Sequence, residues 1–300
     1  MDGFLLLDKG KGVSSFAVVR AIKNLSRERS VGHAGTLDPL ATGLLVLALG
    51  EGTKLLEYFI GGDKEYEVSA YFGKESDTYD AEGKITVVNE NAYFDSEEVM
   101  SVVKDNFLGK IEQIPPKYSA LKVGGKRACD ILRSGGEVEL KAREVEISRF
   151  DLREFDWPRA SFRIKCGSGT YIRSLIHDLG KILGCGAYVT ELRRTKVSDF
   201  LVESAKSVEY FDEKVDRIEK NMISLELVGE KFKKINLSDD EYNGMKDGGT
   251  IVNKKVEQEW FEKGPVMAYY GDFLIGVLEL AKDRKGLKFR KLIVRGRNCM

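Results

Sequence analysis

Residues 29–50 read RSVGHAGTLDPLATGLLVLALG, and the rest of the chain is best read outward from them. An apolar run over 44–49 follows a loop containing Gly32, Gly35 and Gly43, with one carboxylate, Asp38, between Leu37 and Pro39. Glycines admit backbone conformations closed to other residues and let a ligand approach closely. Pro39 fixes its own φ and steers Asp38 away from helical geometry. The stretch predicts a buried strand behind a tight loop that presents a single acid in one place. Two readings of that acid stand side by side. Asp before Pro, with Thr and Gly nearby, is ordinary turn chemistry; the same geometry suits a functional carboxylate.

Upstream, residues 3–8 read as a short buried strand ending at Lys9, Gly10, Lys11 and Gly12. Ser14 or Ser15 can then cap a helix that places Val18, Val19, Ile22 and Leu25 on one face. Downstream, Thr53 is placed to cap a short helix over 54–60, closed by Gly61 and Gly62. KEYEVSAYF, 64–72, alternates: Tyr66, Val68, Ala70 and Phe72 point one way and Glu65, Glu67 and Ser69 the other, as in a half-buried strand. Asp95 and Glu98 form a capping box before a helix with Val99, Val102, Val103 and Phe107 inward.

Pro115-Pro116 opens a Gly-, Lys- and Arg-rich segment of weak periodicity, read as a mobile basic excursion. Strands over 147–155 and 160–166 follow, and Gly167-Ser168-Gly169 turns the chain into a helix over 170–183, with Tyr171 and Arg173 in its first turn. Gly184 ends that helix, and 187–197 returns as a strand carrying Leu192, Arg193 and Arg194. Residues 229–300 read as a small β-barrel domain, with a hairpin around Gly271-Asp272. Its last twenty residues hold Lys282, Arg284, Lys285, Lys288, Arg290, Lys291, Arg295 and Arg297 against Asp283 alone, a bias that suits phosphate better than a solvated face.

Three hundred residues suggest one large domain and a small one, and 42% hydrophobic content allows an ordinary core. With 48 basic and 48 acidic residues, bulk charge announces no nucleic-acid partner. Only His33 and His177 are present, which argues against a His-rich metal site, and the four cysteines show no CxxC pairing. Reduced thiols, a start without a basic n-region and no apolar run of membrane-spanning length give a cytoplasmic protein as the expectation, with a monomer as the default.

Six segments, LLLDKGKGVSS, GHAGTLDPLATGLL, DKEYEV, IPPKYSALK, GTYIRSLIHDLG and LGCGAYVTELRR, resemble in order and spacing the bacterial tRNA pseudouridine-55 synthases, the TruB family. The resemblance covers about residues 1 to 200; beyond it, the texture is similar to the PUA domain that usually follows. It implies an α+β pseudouridine synthase fold, with a mixed, largely antiparallel sheet flanked by helices. It divides the chain into a catalytic domain, 1–228, with a basic RNA-binding loop at about 121–145, and a PUA-like RNA-binding domain, 229–300. The implied reaction is isomerisation of uridine 55 in the T loop of tRNA, without cofactor or metal. The family's catalytic Asp falls on Asp38, its uracil-stacking Tyr on Tyr66, and the Arg that pairs with the Asp on Arg173. Substrate-contact positions match His33, Tyr171 and Leu192, and Lys9 matches a basic residue near the floor of the site. Two residues depart from the pattern: Gly10 stands where Pro is usual, and Cys129 where an aromatic is usual.

The chemistry suits this short set of residues. Breaking N1–C1′, turning the base and rejoining it through C5 moves no phosphoryl group and changes no oxidation state. A pocket tight enough for uracil favours neutral Asp38, and a cation beside it reverses that pressure, lowering a carboxylate pKa by about 1–3 units. Arg173 is the candidate, its planar fork suited to paired hydrogen bonds. Tyr66 fits either the core or a platform for a flipped base, and His177 is read as structural. Competing classes are a non-catalytic RNA-binding or tRNA-folding protein, expected to lack Asp38 or Arg173, and a guide-RNA-directed relative acting on ribosomal RNA.

Overall fold

The computed structural model describes residues 1–211, 215–252, 259–281 and 286–293. Its main sheet runs, in spatial order, Lys206–Ser207, Gly3–Lys9, Thr42–Leu49, Ala187–Val197, Lys64–Phe72, Arg159–Cys166, Arg143–Asp156 and Gly109–Gln113. Val31–His33 adds to Thr42–Leu49, and Phe200–Leu201 to Ala187–Val197. Pairing is antiparallel except at two places, the edge Lys206–Ser207 and the junction of Thr42–Leu49 with Ala187–Val197. That parallel junction is short, with only Arg193↔Thr42 and Arg194↔Gly43 in register. The sheet divides there into two halves, and the loop before Thr42 crosses the division.

Burial explains the two sequence textures. The strands Gly3–Lys9 and Thr42–Leu49 are covered on both faces, which is why both read as continuous apolar runs. Leu5, Leu7, Leu45 and Leu47 pack on Val18 and Ile22 of the helix Ser15–Ser26. Phe4, Leu6, Leu44 and Val46 pack on Phe59 and Phe200, and also on Met267, Tyr269 and Leu274 of the C-terminal sheet. Each such leucine contributes about 1.5–3 kcal/mol by leaving water. The strand Lys64–Phe72 alternates because one face alone is core: Val68, Ala70 and Phe72 meet Leu175, Ile176 and Leu179 of the helix Ile172–Ile182.

Ser14 caps the first helix, accepting from the Ala17 N–H at 3.1 Å. The Asp95–Glu98 capping box forms as expected at the helix Ser96–Asn106. The helix at Arg173 is shorter than its periodicity suggests: it starts at Ile172, with Tyr171 as its first flanking residue. Thr53 does not cap a helix. It lies inside a 3-10 turn, Gly50–Leu55, and its hydroxyl donates to the Gly50 carbonyl at 2.7 Å; a brief helix, Glu57–Ile60, follows. The basic excursion has regular structure that its weak periodicity concealed: a hairpin, Lys122–Val123 with Lys126–Arg127, then a helix, Ala128–Arg133. The hairpin turns on Gly124 and Gly125, both at positive φ, which is the two-residue turn that suits strand twist.

A separate five-stranded sheet, in the order Lys233–Asn236, Val266–Tyr270, Phe273–Leu280, Gly286–Leu292 and Ile251–Val252, forms the C-terminal unit. The hairpin at Gly271-Asp272 is present. Of the basic run, Lys282, Arg284, Lys285, Arg295 and Arg297, with Asp283, lie outside the described residues.

Candidate active site

The Asp38 loop is a turn, and its side chain is free for other work. Ala41 N–H donates to the Asp38 carbonyl at 3.1 Å, closing the turn that Pro39 favours. Both sides of the loop are pinned. Buried Ser15 accepts from the Leu37 N–H at 2.8 Å and donates back to the Leu37 carbonyl at 2.9 Å. The Pro39 carbonyl accepts from Gly12 N–H at 2.8 Å and from Lys9 Nζ at 3.3 Å. On the other flank Arg194, 1% exposed, donates to the carbonyls of Leu44 at 2.8 Å, Gly35 at 3.0 Å and Thr36 at 3.4 Å. Gly43 lets the loop leave the sheet here: its φ is +100°, and a Cβ would stand 2.3 Å from the Arg194 carbonyl oxygen.

A cavity of about 490 Å³ opens at this division of the sheet. Asp38, Tyr66, Tyr171, Arg173 and Leu192 line it together. Arg173 Nε stands 2.9 Å from Asp38 Oδ2; both line the cavity, but the acid is 34% exposed and its partner 4%, so the carboxylate is the more open of the two. The contact is single and not the paired fork expected of an arginine. Its other nitrogens are committed: Nη1 to the Thr78 carbonyl at 2.7 Å and to Asp80 Oδ2 at 3.3 Å, Nη2 to the Tyr118 carbonyl at 3.0 Å. Asp80 is itself buried, so one cation serves two carboxylates with only one of them open to a ligand.

Tyr66 contributes a ring whose phenol is pushed up in pKa by burial, which keeps it protonated at neutral pH. Tyr171, just ahead of its helix, is held by Gln113, which accepts from its N–H at 2.8 Å and donates to its carbonyl at 3.0 Å. The Arg143 guanidinium lies 4.8 Å from the centre of the Tyr171 ring. Lys9 and His33 do not line the cavity; they support its loop. Lys9 is fully buried, donates to Gly10, Val13 and Pro39 carbonyls, and is pushed down by burial to a pKa of about 8 against the pull of Asp38. His33 Nδ1 accepts from the Gly35 N–H at 3.2 Å, and burial pushes its pKa down, so the imidazole is neutral.

Sequence reasoning passed over four residues here. Arg194 shares Leu192's inward face two residues on, and an arginine at an apolar-face position was the available signal. Lys64 is the same case on the neighbouring strand: buried, donating to the Gly62 carbonyl at 2.6 Å and pushed down to about 8 by burial. Asp80 and Arg143 carried no local signal. Leu192 also lines a second cavity, about 520 Å³, walled by Glu67, Glu191 and Arg193 on the outer face of the sheet. The pinned acid with its buried cation singles out the first.

A family model described as TruB family pseudouridylate synthase, N-terminal domain, matches residues 23–172, and one described as tRNA pseudouridylate synthase B C-terminal domain matches 173–226. The chain belongs to the TruB family. Among curated relatives, the tRNA pseudouridine synthase B of Clostridium tetani is 36% identical over 98% of this chain and 100% of its own length. That of Aquifex aeolicus is 37% identical over 93% and 96%. Among solved structures, a chain of a Cbf5-Nop10-Gar1 complex superposes with a TM-score of 0.70 at 24% identity, covering 97% of this chain and 85% of its own, which establishes the pseudouridine synthase fold. The boundary between the two family models falls inside the helix Ile172–Ile182, whereas the main sheet continues unbroken to Ser207.

Proposed function

We propose that this chain isomerises uridine to pseudouridine in tRNA, at position 55 of the T loop, with Asp38 as the catalytic acid residue. One observation carries the reading. Asp38 is the carboxylate that lines the cavity, held on a pinned turn and ion-paired at 2.9 Å to an arginine that is almost wholly buried in the cavity wall. Desolvation around a bound base disfavours a carboxylate, and a buried cation at contact distance offsets it. The ionised acid then serves as nucleophile or base, while the N1–C1′ bond breaks, C5 bonds to C1′, and the C5 proton leaves as N1 gains one.

Tyr66 and Leu192 are the apolar walls between which a base turned out of its stack would lie. Tyr171 closes the same wall from the helix start, and Lys9 and His33 act by holding the turn that carries Asp38. Residues 1–228 form the catalytic domain, with the hairpin and helix within about 121–145 as its RNA-facing loop; 229–300 form a PUA-like RNA-binding domain. Among the described residues no helix is long and apolar enough to cross a membrane.

Incubation with unmodified tRNA followed by mapping of pseudouridine tests the reaction and its position together. Asp38→Asn should abolish product while tRNA affinity stays within about tenfold, roughly 1.4 kcal/mol, because phosphate contacts dominate binding. Product at anything near the parental rate from that variant removes Asp38 from the chemistry.

A further inference from the structure

We infer that the stack of Tyr79 on His177 is a positioning device for Arg173, and through it for Asp38. The inference rests on the reading above, in which Arg173 is the working partner of Asp38. Arg173 and His177 stand four residues apart in the helix Ile172–Ile182, so their side chains share one face. The segment that meets that face is the turn around 76–84.

Tyr79 sits in this turn at φ +65°, a left-handed conformation that bulky residues seldom adopt. Its N–H donates to the Ser76 carbonyl at 3.0 Å, and its own carbonyl accepts from Val189 N–H at 3.0 Å. The reversal of the chain at Tyr79 brings the residues on either side of it to one guanidinium. Thr78 offers its carbonyl to Arg173 Nη1 at 2.7 Å, and Asp80 its carboxylate to the same nitrogen at 3.3 Å. Asp80 is bound into the turn by the Thr78 hydroxyl at 2.6 Å and the Glu82 N–H at 3.0 Å, so the carboxylate travels wherever the turn goes.

What seats the turn on the helix is the ring. Tyr79 and His177 lie face to face, centroids 3.8 Å apart and planes within 11°. Both are half-buried, so the contact adds little to the core. Its effect is geometric: it fixes the helix one turn beyond Arg173 to the residue whose two neighbours hold Arg173. Without the stack the left-handed residue can relax and carry Thr78 and Asp80 away from the guanidinium, leaving Arg173 Nε free to drift from Asp38. Burial pushes the His177 pKa down, which keeps a neutral ring in the stack.

The test is single-turnover pseudouridine formation on saturating tRNA, with tRNA affinity and thermal melting measured on the same samples. Asp38→Asn is run first; if it turns over, the site reading fails and the inference with it. With Asp38→Asn inactive, His177→Ala should slow the reaction about ten- to a hundredfold at unchanged tRNA affinity, and His177→Phe, which keeps a flat ring, should regain most of the rate. On an Asp80→Asn background, His177→Ala should cost less than threefold more, since the stack then has nothing left to position. His177→Leu, which keeps bulk without a flat ring, covers the case in which His177→Ala melts early: a folded Leu variant must also be slow. A folded His177→Ala or His177→Leu enzyme at the parental rate, a Phe variant as slow as Ala, or full additivity with Asp80→Asn each overturns the proposal.

Discussion

Two groups of cations in this molecule meet oxygens of other chain segments, and they do different jobs. Arg173 and Arg194 lie at the division of the main sheet, almost wholly buried: all three Arg194 nitrogens and both Nη atoms of Arg173 donate to named carbonyls, and Arg173 Nε is ion-paired with Asp38. Arg290 and Lys291 lie on the C-terminal strand Gly286–Leu292, partly exposed, and share Glu57 of the helix Glu57–Ile60 at 3.2 and 2.8 Å. Lys291 also donates to the Lys54 carbonyl, and Lys54 to the Leu292 carbonyl, both at 2.7 Å. The first group fixes the loop that carries Asp38; the second ties the C-terminal sheet to the segment that holds Lys54 and Glu57. Exposed pairs of the second kind contribute about 0–1 kcal/mol each, whereas removing one partner from a buried pair costs about 3–5 kcal/mol.

The largest effect should therefore come from Arg194. Arg194→Ala would strand the carbonyls of Gly35, Thr36 and Leu44 in the interior, at about 3–5 kcal/mol of stability in urea unfolding, since each buried acceptor left unsatisfied costs about 1–3 kcal/mol. Arg194→Lys should recover only part, because one ammonium cannot span three separated acceptors as a guanidinium does. An Arg194→Ala protein within about 1 kcal/mol of the parent would put the two groups of cations on the same footing.

How much of this was legible in the sequence follows from which forces are local. The strands expected at 3–8, 64–72 and 187–197, the capping box at Asp95, and Gly184 as a helix stop all rest on periodicity or capping within a few residues, and all formed, the first running one residue further to Lys9. Asp38, Tyr66, Arg173, Tyr171 and Leu192 converge on one cavity, but their convergence was carried by resemblance and not by spacing, since strand pairing across more than 100 residues brings Leu192 opposite Val68. Asp80 illustrates the remainder. An acid in a polar turn looks solvated until the fold sets a buried arginine against it. The Arg290–Lys291 run is legible only in part, for the converse reason: composition shows an excess of one sign but not that these two cations meet Glu57.

Tyr66 sharpens the account of the buried side. Its strand places it among core positions, yet its ring faces the cavity. Tyr66→Phe keeps the stacking face and Tyr66→Leu removes it, so Leu should lose about 1–3 kcal/mol at the step that holds the flipped base. Single-turnover rates alongside thermal melts separate the roles; a Leu variant that melts early and turns over normally would return Tyr66 to the core.

A third carboxylate, Asp178, shows what burial does when no cation sits at contact distance. It lies on the same helix as Arg173, and burial pushes its pKa up to about 6 despite the attraction of Lys181. A carboxyl whose pKa is raised by folding favours the native state while it is protonated. Its contribution is whole below pH ~4, the range of a free carboxylate, and is lost as pH rises through about 6. Asp178→Asn should accordingly stabilise the protein at pH 7.5 by about 1 kcal/mol after allowance for partial exposure, near 2 °C in Tm, and give no gain at pH 4. A gain equal at both pH values would mean that charge is not the cause.

The smallest expected effect decides whether the second group of cations belongs to the protein or to RNA. If Arg290 and Lys291 face Glu57 in solution, Arg290→Gln with Lys291→Gln removes exposed ion pairs and two weak contacts to the Tyr58 ring, 5.9 and 5.8 Å away. Stability should fall by about 0.5–1 kcal/mol. The log–log salt slope of tRNA binding should stay within about half a unit of the parental value, because neither charge neutralises a phosphate. If both charges instead reach phosphate when tRNA is bound, the slope should flatten by about 1.4–1.8 units, at 0.7 to 0.9 per contact. Glu57→Gln distinguishes the two from the other side. It frees both cations without removing them, so a docking role predicts the same small loss of stability and an unchanged slope. A role shared with RNA predicts tighter binding and a steeper slope, since Glu57 would then be a competitor for the same charges.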